Sequence, residues 1–165
     1  MALEAPLPLA EHHDLAGFQS GVPILDEWLT RRALANQASG ASRVYVVCDD
    51  MKIVGYYALA SGAVSVGLAT GRFRRNMPDP IPVVVLGRLA VDQSYQKRGL
   101  GRALFRDAAL RVLQAAGTIG IRGILVHAIS DAARDFYLAI GFDPSPLDDL
   151  TLMITLADAR AALSS

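Results

Sequence analysis

A single cysteine, Cys48, among 165 residues leaves no partner for an internal disulfide, so the chain must hold itself together through its core. Hydrophobic residues make up 52% of it, enough for a sizeable core, and basic and acidic residues balance at 16 each, which argues against disorder. Histidine is scarce: His12 and His13 fall in a polar N-terminal stretch, and His127 falls in an apolar one. No metal-ligand cluster and no nucleophile–histidine arrangement stands out, so no metal is expected. Cys48 closes an apolar run over 43–48 with no histidine near it in sequence. It reads as a small core residue, which disfavours a covalent route. Repeats, low-complexity tracts and linkers are also missing, so one domain over 1–165 of mixed helix and strand (α/β) is expected. The first 14 residues carry prolines and acids rather than a basic start and an apolar run. A secretory signal is therefore not expected, and the cytoplasm is the expected location.

Long uncharged runs are confined to one place. Residues 53–71 carry no charge over 19 positions, the threshold length for a spanning helix. Serines, threonines and glycines dilute the stretch, and its alternation with paired aromatics predicts two strands about a bend or bulge at Ser61-Gly62 rather than a membrane span. Residues 22–37 predict one helix with Pro23 at its start and Ile24, Leu25, Trp28, Leu29 and Leu34 on its apolar face.

What is present is a strand, a turn and a helix in that order. Residues 81–91 (IPVVVLGRLAV) are rich in β-branched side chains and predict a buried strand. Residues 92–95 turn the chain. From Gly99 onward Leu100, Ala103, Leu104, Ala108, Val112 and Leu113 recur at helical spacing, and the helix should end near Gly117. Between strand and helix lies Gln96-Lys97-Arg98-Gly99-Leu100-Gly101, whose glycines allow close backbone approach and whose position opens a helix. Free amides and the helix dipole at such a place favour phosphate. Neither the GxxxxGK loop of nucleoside triphosphatases nor the dinucleotide GxGxxG string occurs.

The segment resembles the pyrophosphate loop, Q/R-x-x-G-x-G/A, of the GNAT family of N-acetyltransferases, with Gln96, Gly99 and Gly101 at the defining places. Residues 120–129 predict a further strand and 130–140 a short helix, with Ser130 as its cap and Gly141 as its stop. Within them, Phe136 to Phe142 (FYLAIGF) is similar to the family's FYxxxGF segment. The resemblance implies a central, mixed, mostly antiparallel sheet flanked by helices, with a splayed pair of parallel strands holding the coenzyme. It implies acetyl coenzyme A as co-substrate, bound by Leu89, Ala90, Val91, Gln96, Lys97, Arg98, Gly99, Leu100, Gly101, Arg102 and Phe136. It further implies direct transfer through a ternary complex, with the Val91 amide stabilising the oxyanion and Tyr137 protonating the departing sulfur. A phenol with a reference pKa of about 10 suits an acid better than a base. No strong general base is evident; His127 is either a core residue or a ring facing the cleft.

Net charge is zero, yet residues 69–106 hold eight Lys or Arg against two Asp, while residues 1–68 and 107–165 each come to −3. The coenzyme accounts for Lys97, Arg98 and Arg102. Arg72, Arg74 and Arg75, in an expected loop around Phe73, have no such phosphate to meet. A basic loop with an aromatic fits a nucleic acid backbone, or is only solvated. Longer strings are similar to one branch of the family, the acetyltransferase toxins of bacterial toxin–antitoxin pairs of the TacT and AtaT type. They are residues 18–47 (FQSGVPILDEWLTRRALANQASGASRVYVV), 55–64 (GYYALASGAV) and 75–101 (RNMPDPIPVVVLGRLAVDQSYQKRGLG). That likeness implies acetylation of the α-amino group of aminoacyl-tRNA, a block to translation, a ribbon-helix-helix antitoxin and a homodimer. Arg72, Arg74 and Arg75, with Arg31 and Arg32 behind them, would then touch tRNA phosphates. An α-amino group has a reference pKa near 8, so such a substrate needs no strong base. An acetyltransferase for a small-molecule or protein amine, and a non-catalytic coenzyme A module, remain the other two classes.

Overall fold

The structure, a computed structural model, describes residues 3–164; Met1 and Ala2, at the start of the acidic N-terminal stretch, and Ser165 lie outside the described residues. The described strands, β1 (Leu7–Pro8), β2 (Arg43–Asp49), β3 (Lys52–Val64), β4 (Ile81–Val91), β5 (Gly123–His127), β6 (Asp143–Pro144) and β7 (Thr151–Thr155), form one seven-stranded sheet in the order β1-β2-β3-β4-β5-β7-β6. Contacts divide the chain into two units, one reaching up to Ala60 and including Gly87–Ala108, the other Ser61–Leu86 with Ala109 onward.

In the first unit Pro23 sits where a missing N–H costs nothing, and opens α1 (Pro23–Arg31). The single helix expected over 22–37 is instead two, with α2 (Ala33–Ser39) following a break at Arg32, φ −123°. Thr30 supplies a cause, because its hydroxyl donates back to the Asp26 and Glu27 carbonyls, both at 3.2 Å, a bond that bends helices. Leu25, Leu29 and Ala33 are buried, whereas Ile24, expected on the apolar face, is 64% exposed. Strand β2 (Arg43–Asp49) pairs antiparallel with β1 (Leu7–Pro8) on one side and with β3 (Lys52–Val64) on the other. The core gathers Phe18, Leu29, Val44, Ile53, Tyr56 and Ala90, with Trp28 and Cys48 packed against it. Cys48 behaves as a small apolar residue, and burial raises its thiol above the ordinary value.

Strand β3 corrects a second expectation, since it runs unbroken through Ser61 and Gly62. Gly62 is required for close packing rather than for a turn: a Cβ there would stand 2.7 Å from Val85 Cγ2. In the same second unit, residues 71–74 form a short helix, α3 (Gly71–Arg74), instead of a loop. Thr70 caps it by accepting the Phe73 amide at 3.1 Å, and Phe73 is 1% exposed, so burial of one ring pins the turn. Strand β4 (Ile81–Val91) has the expected limits, and its parallel register with β5 (Gly123–His127) covers Val83–Val85. After β4 comes α4 (Leu100–Ala115). Gly123 admits no side chain, because a Cβ would lie 2.0 Å from the Ile154 carbonyl oxygen.

Helix α5 (Asp131–Ile140) is capped by Ser130, whose hydroxyl accepts the Ala133 amide, and stopped by Gly141 at φ 126°. The chain continues through β6 (Asp143–Pro144), β7 (Thr151–Thr155) and α6 (Leu156–Leu163). The last helix was not expected, although Thr155 accepting the Asp158 amide is an ordinary cap whose Thr-x-x-Asp spacing is visible in the sequence. Val64, Ala69, Phe73, Ile81, Val83, Leu125 and Met153 form this unit's core. No helix of the described residues is long and apolar enough to cross a membrane.

Candidate active site

In the first unit the turn after β4 is built by side chains that bond to the backbone. Asp92, 4% exposed, accepts the amides of Gln19 at 3.1 Å and Ser94 at 3.0 Å, which starts a single 3-10 turn over Gln93–Tyr95. Gln96 then donates its side-chain amide to the carbonyls of Ser20 and Val91, both at 2.8 Å. This glutamine therefore clamps the turn to the chain on either side, and the anion-binding capacity belongs to the backbone. Lys97 at φ 64° and Gly99 at φ 81° adopt left-handed conformations that swing the chain into α4. The first hydrogen bond closing that helix runs from the Ala103 amide to the Gly99 carbonyl, 3.1 Å. Ahead of it the amides of Leu100, Gly101 and Arg102 have no intrahelical acceptor and present the positive end of the helix dipole.

Lys97, Arg98 and Arg102 are exposed around these amides. Arg98 lies 5.4 Å from the Tyr95 ring centre, and Tyr95 in turn donates a short hydrogen bond to Asp49, so the guanidinium has a fixed prop. A cavity of about 480 Å³ opens beside the turn, lined by Glu4, Pro6, Val47, Arg98, Gly99 and Leu100 among others. Along β4, the Asp92 amide donates to Val54 of β3 at 2.9 Å. Backbone groups alternate along a strand, so the amides of Leu89 and Val91 point to the edge away from β3, whereas Ala90 faces β3. Leu89 is thus free to pair with an added chain, and Val91 is placed to offer an amide; Ala90 contributes packing, at 4% exposure.

The second unit holds Phe136 and Tyr137 on α5. Tyr137 is 7% exposed and meets Phe136 and Phe142 edge-on, with ring centres 5.1 and 5.2 Å away. Its hydroxyl makes no hydrogen bond among the described residues, and burial alone pushes the phenol far above its ordinary value. Such a phenol holds its proton more firmly than a solvated one. His127 is neither a core residue nor unengaged: it is exposed, and its Nδ1 lies 3.1 Å from the Thr151 hydroxyl. Thr151 in turn donates to Asp148 at 2.8 Å, and that bond together with the Leu150 amide holds the Asp148 carboxyl below its usual value.

The arginines of 72–75 are unequal. Arg72 forms a two-pronged pair with Asp158, Nε to Oδ2 at 2.6 Å and Nη2 to Oδ1 at 2.7 Å. Arg74 and Arg75 are exposed, and Arg75 lines a groove of about 510 Å³ together with Arg72, Met77, Pro82 and Arg122. Arg122, for which the sequence carries no local signal, donates to the Phe73 and Arg72 carbonyls, both at 2.8 Å, and so closes the end of α3. Arg31 and Arg32 are exposed at the junction of α1 and α2 in the first unit. No group of His, Cys, Asp and Glu able to hold a metal occurs among the described residues.

The helix-opening amides and the strand edge beside them, both in the first unit, suit a phosphate-bearing acyl carrier. Comparison with known proteins agrees. Residues 40–144 match the family model described as the acetyltransferase (GNAT) domain. The chain is 54% identical to the tRNA-acetylating toxin of Mycobacterium tuberculosis (strain ATCC 25618 / H37Rv), over 96% of each chain. Among solved structures it superimposes on AtaT complexed with acetyl-methionyl-tRNAfMet, with a TM-score of 0.88, 27% identity, and 97% of this chain and 98% of that one covered. It also superimposes on a tyrosine-to-phenylalanine mutant of the AtaT toxin bound to the C-terminus of the antitoxin AtaR and acetyl-CoA, with a TM-score of 0.84, 26% identity and both chains covered in full. The chain belongs to the GNAT acetyltransferase family, and its co-substrate is acetyl coenzyme A.

Proposed function

We propose that this protein transfers the acetyl group of acetyl coenzyme A to the α-amino group of aminoacyl-tRNA, stops translation by doing so, and is neutralised by a cognate antitoxin of the ribbon-helix-helix type. The end-to-end match to a tRNA-acetylating toxin carries the reading. The amides of Leu100, Gly101 and Arg102 hold the coenzyme pyrophosphate, assisted by Lys97, Arg98 and Arg102, and Leu89 pairs with its pantetheine arm. A neutral α-amine attacks the thioester carbon. The attack closes the C–N bond and gives a tetrahedral oxyanion that the Val91 amide stabilises; its collapse opens the C–S bond, and Tyr137 gives its proton to the departing sulfur. The amine sheds its own proton to solvent and needs no strong base, because its reference pKa lies near 8. Arg74 and Arg75 meet tRNA phosphates, and Arg72 does so to the extent that Asp158 releases it; Arg31 and Arg32 extend the basic surface. By the same resemblance the working unit is a homodimer and the site of action the cytoplasm, where charged tRNA is met.

The test is transfer of labelled acetyl to a mixed pool of charged tRNA, with uncharged tRNA and a lysine peptide as controls. Label on charged tRNA alone is expected. Label on the peptide alone would return the protein to the acetyltransferases of protein amines.

A further inference from the structure

Arg88 occupies an unusual setting for a strand residue, and it takes no part in the steps above. It is half-buried on β4, in the first unit, three residues before Val91. Its guanidinium carbon lies 4.4 Å from the centre of the Trp28 ring. Trp28 stacks on Tyr56, with ring centres 6.0 Å apart and 9° between planes, and the Tyr56 hydroxyl donates to the Leu25 carbonyl at 2.6 Å. A guanidinium, an indole and a phenol thus form a layered support anchored to α1. Arg88 makes no ion pair and no hydrogen bond among the described residues. Asp26 is the carboxylate that, with Arg88, acts electrostatically on the Tyr56 phenol. It is already engaged by the Ser20 amide and hydroxyl, the latter at 2.6 Å.

A guanidinium set over an aromatic ring, half-buried and with no carboxylate partner among the described residues, keeps its donor fork for something that arrives from outside. Three strand steps separate the Arg88 backbone from the amide assigned to the oxyanion, roughly 10 Å at ~3.3 Å per residue. In an aminoacyl-tRNA, the α-amino nitrogen is joined to the 5′-phosphate of its own terminal adenosine through the amino acid and one ribose, a span of the same order. We propose that Arg88, fixed by Trp28, is a positioning residue that grips the 5′-phosphate of the terminal adenosine and so sets the α-amino group at the thioester. This rests on the aminoacyl-tRNA reading above and adds to it the contact that fixes the acceptor end.

Two minimal acceptors test it: an amino acid esterified to the 3′-hydroxyl of adenosine, and the same ester carrying a 5′-phosphate. With the protein as it stands, the phosphate should raise kcat/KM about tenfold or more, the scale of one charge-assisted contact. In Arg88→Gln that advantage should vanish while KM for acetyl coenzyme A stays unchanged. In Arg88→Lys, which keeps the charge and loses the planar donor fork, part of it should remain. An equal phosphate advantage in the native protein and in either variant would overturn the proposal, as would acetylation of both esters by the native protein at the same rate. Transfer to neither ester, with charged tRNA also untouched, would remove the aminoacyl reading itself and this proposal with it.

Discussion

Around residues 96–102 the cations Lys97, Arg98 and Arg102 stand in solvent, while the residue that the motif singles out, Gln96, spends its side chain on the Ser20 and Val91 carbonyls. Around residues 71–75 the arrangement is reversed: Arg72 is held by Asp158, Arg122 is drawn in to close α3, and Arg74 and Arg75 are left exposed. The first turn's side chains shape its backbone, whereas the second turn's fold takes up Arg72 and Arg122 and leaves Arg74 and Arg75 exposed. A count of basic residues makes the two regions look alike, and hydrogen bonding separates them.

In the proposed mechanism the second unit contributes one side chain above all, Tyr137. Tyr137→Phe should lower kcat about a hundredfold or more with acetyl coenzyme A binding unchanged, read by steady-state kinetics and calorimetry. Because burial raises this phenol, it stays protonated as pH rises. The initial rate, corrected for base hydrolysis of the aminoacyl ester, should therefore climb as the substrate amine, with a reference pKa near 8, loses its proton, and show no alkaline decline of its own up to about pH 9. A fall above pH 8 would contradict the assignment.

Next in size is the separation of the two basic turns. Arg74→Ala with Arg75→Ala should weaken charged tRNA about tenfold and flatten the salt dependence of its KM, by up to ~0.7 in log–log slope for each phosphate no longer neutralised. Arg98→Ala should act on acetyl coenzyme A and leave that slope alone. Equal effects of both on tRNA would erase the distinction between the turns. Gly99→Ala probes the backbone itself, since the position has open space but lies at φ 81°. The strain of about 1 kcal/mol should appear as lower stability and a several-fold higher KM for the coenzyme.

The smallest effect is expected at Asp158. Arg72 holds this carboxyl below its ordinary 3.8, so the pair adds stability above that pH, and the contribution disappears as pH falls through the lower folded-state value. The Arg72 side chain is 65% exposed and that of Asp158 32%, so water screens the pair; Asp158→Asn should lower Tm by only about a degree or two near neutrality, and the difference should close below pH 4. The same variant frees Arg72 and should strengthen tRNA binding slightly.

Much of this fold is legible in the sequence for local reasons. The β-branched run at 81–91, the glycines of the loop and the Ser130 cap each state their own structure, and each sits where expected. Expectation and structure part where a distant or back-folded bond decides. Gly62 looks like a bend until Val85 is seen against it, the Thr30 hydroxyl breaks a helix that periodicity would continue, and Phe73 turns an expected loop into a helix by burying its ring. Among candidate site residues, side chains with a structural use, Gln96 and Arg72, cannot be told by type from those without one. The roles of Asp92, Arg122 and Arg88 depend on partners 73, 49 and 60 positions away, beyond the reach of any motif.

The most direct test follows the acetyl group on charged tRNA after the aminoacyl ester has been cleaved with mild base. The label should leave with the amino acid as its N-acetyl derivative, and the RNA should retain none. Label remaining on the RNA would place acetylation on a nucleotide and contradict the proposed chemistry.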